Sequence, residues 1–334
     1  MKIAIVTDAW APQINGVVNA TRNVWQQLTA QGHAVLLVTP DQFRSVPCPT
    51  YPEIRLAMTR PSDVGEKIAR FDPDAIHLMT EGPLCLAARS WCLRRKRPFT
   101  TAFCTNFPTY LALRTGISSK VFWPYFRWFH GPAQFTFGST PSIRQSLADE
   151  GISPVRTWGR GVDLDNFRPE VLPPDIFFSL PRPIILYAGR IAVEKNVEAF
   201  LTARHAGSKV LVGDGPARAA LQARFPQAHF LGFKQGADLA GVYAGADALV
   251  FPSLTDTFGV VMIEALACGT PVAAFPVAGP MDVLTPTVGA MDHDLDRAIE
   301  RALLCDRDAC AAYGKTFTWG ESAREFLDGM KMAC

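Results

Sequence analysis

Two cations five positions apart, Arg190 and Lys195, lie in Tyr187-Ala-Gly189-Arg190-Ile-Ala-Val-Glu194-Lys195-Asn196. Placed after a strand and a glycine, an Arg fork and a Lys point charge can clamp a diphosphate. Glu194-Lys195 alone reads equally as a solvated helix start. Two carboxylates eight apart, Asp256 and Glu264, fall within Thr255-Asp-Thr-Phe258-Gly259-Val260 and the apolar run that ends at Pro271. Gly259 opens a helix between them. Carboxylates accept paired hydroxyls well, and the unpaired amides at Phe258, Gly259 and Val260 suit a phosphate. The alternative is an acidic turn followed by a satisfied helix Glu. A third feature is Thr7-Asp8-Ala-Trp10 leading to Asn15-Gly16-Val17-Val18. At a helix start, Gly16 lets an anion approach backbone amides at the positive end of the dipole. The segment is not GxGxxG, so the usual dinucleotide fingerprint is missing, and a plain strand–loop–helix turn fits as well.

Other spots carry less chemistry. Val212-Gly213-Asp214-Gly215-Pro216 reads as a tight turn, and Gly241 and Gly245 around Tyr243 read as structural. Asp72-Pro-Asp74 precedes a strand and is a turn. Asp292-His-Asp-Leu-Asp296 caps a late helix or binds a cation weakly, and no metal site is expected. The eight cysteines form no CxxC pair and read mostly as small core hydrophobes. The aromatic run Lys120–His130 places Phe122, Phe126 and Phe129 on one helical face, as core. Trp123, Arg127 and His130 fall on another, which suits a membrane interface, as does the basic run Arg94–Arg97 near Trp91. That run is also consistent with a solvated helix end.

Stepping outward, these motifs need strands to carry them. Apolar runs alternate with amphipathic stretches, the pattern of a parallel α/β protein. Strands are expected at Ile3–Val6, Ala34–Val38, Ala75–Leu78, Phe99–Phe103, Ile184–Tyr187, Lys209–Val212, His229–Leu231, Ala248–Phe251 and Pro271–Ala274. Helices are expected at Val17–Thr29, Asn196–Ala206, Ala217–Arg224, Ala237–Ala244, Val260–Ala267, Leu295–Ala312 and from Trp319 onward. At 334 residues two domains are the better expectation. The chemistry-bearing residues then follow strands, where ligands bind in doubly wound sheets.

The net charge of +2 excludes a strongly basic nucleic-acid binder. It also conceals an asymmetry. Residues 1–168 hold 19 Lys+Arg against 12 Asp+Glu (+7), and residues 169–334 hold 14 against 19 (−5). The basic half suits an anionic surface or acceptor, or the imbalance is scatter between two domains. No apolar run exceeds five residues, and Met1-Lys2 leads straight into a strand, so neither a transmembrane helix nor a signal segment is expected.

The ordered set of motifs resembles the retaining glycosyltransferases of family 4, which share the GT-B fold. It comprises Val6-Thr-Asp-Ala-Trp10 with Asn15-Gly16-Val17-Val18, Thr80-Glu81-Gly82-Pro83, Gly159-Arg160-Gly161-Val162-Asp163, Gly189-Arg190 with Glu194-Lys195-Asn196, Gly213-Asp-Gly-Pro216, and Asp256 through Pro271. Asp256–Glu264 resembles the family's E-x7-E motif with Asp in the first place. The resemblance implies α/β architecture with two facing Rossmann-like, doubly wound domains and an interdomain cleft. Residues 1–168 would form the acceptor-side domain, with a terminal helix in 319–334 crossing back to it. Residues 169–181 would be a proline-rich linker, and 182–318 the donor domain.

By the same resemblance, Arg190 and Lys195 neutralise a donor diphosphate that Gly16 also meets, next to Gly189. Asp256 holds donor-sugar hydroxyls, Phe258, Gly259 and Val260 support sugar and phosphate, and Glu264 holds the ribose. Gly232 and Phe233 lie beside the base, and Asp8, Glu81 and Asn106 lie on the acceptor side. Cys104 stands where the family usually has His, with His77 and His130 as candidate substitutes. No cofactor or metal is implied beyond the nucleotide-sugar substrate.

Thr39-Pro40-Asp41, Pro49–Glu53, Glu81-Gly82-Pro83 and Pro276–Pro280 resemble bacterial mannosyltransferase-like enzymes, some of which glycosylate diacylglycerol. The expected activity is therefore transfer of a hexose or hexuronic acid from a UDP-sugar to a lipid, diacylglycerol foremost. It would take place on the cytoplasmic membrane face, with the basic half against anionic lipid and the protein cytoplasmic and peripheral. The alternatives are a GDP-mannose-dependent α-mannosyltransferase, a GT-B-like sugar-nucleotide epimerase and a non-catalytic nucleotide-sugar-binding protein.

Overall fold

Five residues, Lys2–Val6, start the chain as strand β1, and four of them are apolar and fully buried. A strand turns alternate side chains to opposite faces, so a continuous apolar run needs cover on both sides. That cover is present. Ile3 and Ile5 pack with Ala20, Val24 and Leu28 of the helix Gly16–Ala30 and with Phe326 and Met330 of the terminal helix Trp319–Met332. Ala4 and Val6 pack with Val64 and Ile68 of the helix Pro61–Phe71 and with Leu84, Ala88 and Trp91 of the helix Pro83–Arg94.

The computed structural model describes residues 1–13, 15–48 and 51–333. Ile14, and Pro49 and Thr50 of the Pro49–Glu53 motif, lie outside the described residues. The chain divides into two compact units: Met1–Pro108 with Ile117–Arg160 and the segment from Trp319 onward, and Thr109–Gly116 with Gly161–Thr318.

In the first unit β1 joins β2 (Ala34–Val38), a hairpin of β3 (Ser45–Cys48) and β4 (Tyr51–Ala57) follows, and β5 (Ala75–Leu78), β6 (Thr100–Phe103), β7 (Thr136–Gly138) and β8 (Val155–Thr157) complete the sheet. Its order is β2-β1-β5-β6-β7-β8, parallel throughout. The second unit repeats the plan with β9 (Ile184–Ala188), β10 (Ser208–Val212), β11 (His229–Phe230), β12 (Ala248–Phe251), β13 (Val272–Ala274) and β14 (Gly289–Met291). The order there is β11-β10-β9-β12-β13-β14, again all parallel. Ile184, Leu186 and Ala188 of β9 face the helices Gly236–Gly245 and Val260–Ala267, while Ile185 and Tyr187 face Val197–Thr202 and Leu295–Ala302. Among the described residues no helix is long and apolar enough to cross a membrane.

Several expectations change. The proline-rich 169–181 is a packed segment rather than an extended linker: it contains a 3₁₀ turn, Asp175–Phe178, and Phe177 is buried in the second unit's core. Leu295–Ala312 is two helices, Leu295–Ala302 and Arg307–Gly314, because the Asp306 side chain accepts from the Ala309 amide at 2.8 Å and starts a new one. Asn196–Ala206 shortens to Val197–Thr202, whose last carbonyls take the Lys209 ammonium from β10. Other expectations stand: Asp72 closes the helix Pro61–Phe71 and Asp74 accepts from the Lys2 amide at 2.8 Å, as a turn there requires, and of the two readings of Asp292–Asp296 the structure shows the cap, Asp294 on Leu295–Ala302.

The aromatic helix Trp123–His130 buries Trp123, Phe126, Phe129 and His130. Trp123 and His130 therefore belong to the core rather than to a lipid-facing side, and Phe122 is half-buried. The exposed aromatics are Trp128 (54%) and Tyr125 (38%). Helix orientation is set by Arg89, which donates to the Phe129 and Trp128 carbonyls at 2.9 and 2.5 Å and stacks on the Trp128 ring.

Close packing of Arg307–Gly314 on Val260–Ala267 leaves no room at Gly314, where an added Cβ would lie 2.2 Å from the Ala267 nitrogen. Because the obstacle is backbone, Gly314→Ala should lower stability by about 1–3 kcal/mol. Urea unfolding measures it, and an unchanged midpoint would show that this contact is looser than described.

Candidate active site

All strands of each sheet run the same way, so the residues just after them gather at one edge, the carboxyl edge, where doubly wound sheets bind ligands. In the first unit these are Asp8 after β1, Glu81 after β5, and Cys104 and Asn106 after β6. In the second they are Gly189 and Arg190 after β9, Gly213–Pro216 after β10, Gly232 and Phe233 after β11, and Asp256 after β12.

The second unit joins two of the sequence motifs. Lys195 Nζ lies 2.5 Å from Asp256 Oδ1, with both side chains about a quarter exposed. Around this pair the loops are tied by their backbones. The buried Tyr187 hydroxyl donates to the Arg190 carbonyl at 2.6 Å, Asn196 Nδ2 to the Pro252 carbonyl at 3.1 Å, and Thr255 Oγ1 to the Glu194 carbonyl at 3.4 Å. Glu194 is buried (2% exposed), so it is not a solvated helix start. Burial alone would raise its carboxyl, but the Tyr110 hydroxyl, its own backbone and the Arg114 guanidinium (3.2 Å) outweigh that and hold it below the usual range.

The helix Val260–Ala267 begins beside this pair. Gly259 at φ +85° is its N-cap, and a Cβ there would lie 2.7 Å from the Phe251 ring. Gly259 has no side chain to cap the first turn, and the Met262 amide donates to its carbonyl at 2.9 Å, so an anion here would meet the Val260 and Val261 amides. The neighbouring loop is close-fitting, since a Cβ on Gly279 would lie 3.1 Å from the Phe258 carbonyl. About one turn along, the half-buried Glu264 accepts from Tyr243 at 3.0 Å. Burial raises the Glu264 carboxyl to about 7, against the pull of that hydrogen bond. Gly213 donates to the Gly232 carbonyl at 2.9 Å, which sets the turn that leaves Phe233 half exposed.

In the first unit Asp8 is buried and caps a helix. Its carboxylate accepts from the Leu84 amide at 2.7 Å, the Cys85 amide at 3.2 Å and the Thr80 hydroxyl at 2.9 Å. Pro83 opens that helix, and a Cβ on Gly82 would lie 2.5 Å from Asp8 Cγ, so Thr80-Glu81-Gly82-Pro83 is the surface on which this carboxylate sits. Three of its roughly four acceptor positions are thus taken inside the protein. Burial raises its carboxyl nonetheless. Glu81, also buried, lies 3.3 Å from His130 Nε2, and His130 Nδ1 meets the Thr101 hydroxyl at 2.8 Å. Glu81 too is raised, by burial first, with His130 opposing.

Cys104 is half-buried, and Arg160 Nη2 lies 3.7 Å from its sulfur. Burial pushes the thiol up to about 11, so it is neutral at neutral pH. Arg160 is itself buried and donates to the Trp158 and Gly159 carbonyls at 2.8 and 3.0 Å. Cys104 thus has Arg160 beside it, with Met79 Sδ at 3.9 Å. His77 and His130 are both enclosed in the core, His77 by Phe137, Trp158 and Phe326, so neither is a substitute. Asn15 accepts from the Val17 and Val18 amides, both at 3.0 Å, which leaves the Gly16 amide as the one its cap does not use, and a Cβ on Gly16 would meet nothing within 4 Å.

Residues that motif reading passes over are Tyr243, Arg160 and the Tyr110–Glu194–Arg114 group. Arg160 and Glu194 each lay inside a quoted motif, Gly159-Arg160-Gly161 and Glu194-Lys195-Asn196, and Tyr243 between two glycines, but none had a role read from it. Asp8→Ala should cost about 1–3 kcal/mol, because the Leu84 and Cys85 amides lose their acceptor in a buried place. Thermal unfolding reads this; a change below about 0.5 kcal/mol would argue against the cap.

Both halves of the chain match known proteins. Residues 14–166 match the family model for Glycosyltransferase Family 4, and residues 182–305 match that for Glycosyl transferases group 1. A GDP-mannose-dependent alpha-mannosyltransferase of Mycolicibacterium smegmatis is 33% identical over 89% of this chain and 85% of its own. An alpha-monoglucosyldiacylglycerol synthase of Streptococcus pneumoniae is 27% identical over 92% of this chain and 79% of its own. In fold, a sucrose-phosphate synthase from Thermosynechococcus elongatus superposes with a TM-score of 0.76 at 20% identity, over 99% of this chain and 98% of that one. The chain belongs to the family 4 glycosyltransferases of GT-B fold.

Proposed function

We propose that the protein is a retaining, metal-independent transferase that moves a hexose or hexuronic acid from a UDP-sugar to a lipid acceptor, diacylglycerol foremost, at the cytoplasmic membrane face. The observation that carries the donor half of this reading is the contact of Lys195 with Asp256 at 2.5 Å, at the carboxyl edge whose loops also carry Arg190 and the start of Val260–Ala267. It puts diphosphate-binding cations next to a carboxylate suited to sugar hydroxyls. Arg190 and Lys195 stabilise the negative charge that grows on the diphosphate as the bond from the anomeric carbon to the phosphate oxygen breaks. Asp256 and the amides of Phe258, Gly259 and Val260 orient the sugar, Glu264 takes the ribose, and Gly232 and Phe233 border the base. The acceptor hydroxyl attacks the face that the diphosphate leaves, and its proton passes to the departing phosphate oxygen. Cation side chains supply the electrostatic stabilisation that a metal would otherwise give.

The acceptor half rests on charge and exposure. The basic first half and the exposed Val121 (64%) and Trp128 (54%), flanked by Lys120 and Arg127, suit an anionic bilayer surface. The Streptococcus relative supports diacylglycerol as acceptor. A second reading, GDP-mannose as donor and a glycolipid or polysaccharide intermediate as acceptor, is favoured by the higher identity of the Mycolicibacterium relative.

Labelled UDP-glucose, UDP-glucuronate and GDP-mannose, each incubated with the protein and membrane lipid extract, separate these readings. Label from a UDP-sugar in the organic phase, with the anomeric configuration kept, supports the first, and label from GDP-mannose alone the second. An inverted anomer removes retention. Free or epimerised sugar without an acceptor indicates an epimerase, and intact donor a binding protein. Lys195→Ala and Arg190→Ala should each lower kcat by about a hundredfold or more with unfolding temperature little changed, and near-normal turnover would remove their role. Vesicles with anionic lipid should bind the protein in low salt and release it at about 0.5 M salt, where screening is within about 5 Å. Equal binding to neutral vesicles would remove the electrostatic part.

A further inference from the structure

We propose that Tyr243 is a positioning residue for donor binding: its hydroxyl holds the Glu264 carboxylate in the orientation and charge state in which it accepts the donor's hydroxyls. This rests on the reading of Glu264 as a donor ligand and goes one residue beyond it.

Tyr243 lies on the helix Gly236–Gly245, and its side chain is fully buried. Its hydroxyl donates to Glu264 Oε2 at 3.0 Å, on the neighbouring helix Val260–Ala267. The residue is anchored at its other end as well, since its carbonyl accepts from the Thr270 hydroxyl at 2.6 Å. The helix cannot slip: a Cβ on Gly241 would lie 2.3 Å from the Leu172 carbonyl, and one on Gly245 would lie 2.5 Å from Pro173 Cβ. The two glycines that frame Tyr243 thus press its helix onto the 169–181 segment and fix where the phenol points.

Packing alone asks for a ring of this size in this place, and Phe would supply it. The hydroxyl, which costs free energy to bury without a partner, is explained by Glu264. One donated bond removes the rotational freedom of the carboxylate and favours its ionised form. The residue Glu264 keeps part of its surface exposed, while its carboxylate is held by Tyr243 and raised first by burial.

Electrostatics around it are simple. The titratable groups that face Glu264 are Tyr243 and, from the end of its own helix, Cys268. Burial lifts the Cys268 thiol to about 12 and the Tyr243 phenol well above its usual range, so neither changes charge near neutrality. Glu264, raised by burial to about 7, is the member of this group that does. A carboxylate accepts two hydroxyls only when ionised, so binding through Glu264 grows as pH rises through its midpoint. Loss of the Tyr243 donor moves that midpoint upward.

The test is the affinity of the full chain for UDP and for GDP from about pH 6.5 to about 9.5, by calorimetry, for the wild type, Tyr243→Phe and Glu264→Gln. Tyr243→Phe should bind the preferred nucleotide about fivefold more weakly near pH 7, recover to within about twofold above pH 9, and show its midpoint about one unit higher. In turnover the loss should fall on KM rather than kcat. A Tyr243→Phe variant with the wild-type midpoint and only a lower unfolding temperature would overturn the proposal and leave Tyr243 a packing residue. Glu264→Gln should bind weakly at every pH. If it binds as the wild type does, the reading of Glu264 as a donor ligand fails, separately from the role of Tyr243. Should Tyr243→Phe not fold, replacement of Tyr243 by 3-fluorotyrosine, nearly isosteric and a stronger donor, must move the midpoint downward, and an unmoved midpoint overturns the proposal equally.

Discussion

Parallel strands buried on both faces are the constraint from which the rest follows. A sheet of this kind needs helices on each side, so every strand must return to the same end before the next begins. β1 shows the requirement in five residues, with Ile3 and Ile5 covered by one layer and Ala4 and Val6 by another. The carboxyl ends of six strands then lie along one edge in each unit. Helices and sheet supply the stability, and the loops at that edge carry Asp8, Glu81, Cys104, Arg190, Lys195 and Asp256.

What separates a structural carboxylate from a chemical one here is the number of donors that already face it. Asp8 has two amides and a hydroxyl, which belong to the start of a helix. Glu194 has Tyr110 and Arg114. Asp256, about a quarter exposed, is paired with Lys195, and Glu264 is half-buried beside Tyr243. All four look alike in the sequence, as an acidic residue just after a strand or near a helix start. Their surroundings divide them.

Legibility followed the strength of local pattern. Ala34–Val38, Ala75–Leu78, Ala248–Phe251 and Val260–Ala267 have the bounds read from their apolar runs and flanking glycines. Thr136–Gly138, Val155–Thr157 and Gly289–Met291 escaped notice because three residues hold too little apolar pattern, and they are strands only because a neighbour offers its open edge. The aromatic helix shows the complementary error. Phe126 and Phe129 are core, as their spacing predicts, but Trp123 and His130 are buried as well, because Arg89 on another helix holds Trp123–His130, and nothing within the eleven aromatic-rich residues carries that information.

The sequence by itself determined the α/β class, the placement of the motifs after strands and the resemblance to family 4, since hydrophobic period and glycine position act over a few residues. Only the tertiary structure decided that Lys195 meets Asp256, that Arg160 stands beside Cys104 and that Tyr243 holds Glu264. Those pairs lie 61, 56 and 21 residues apart. Contact over such separations depends on strand order and helix packing, which no local spacing encodes.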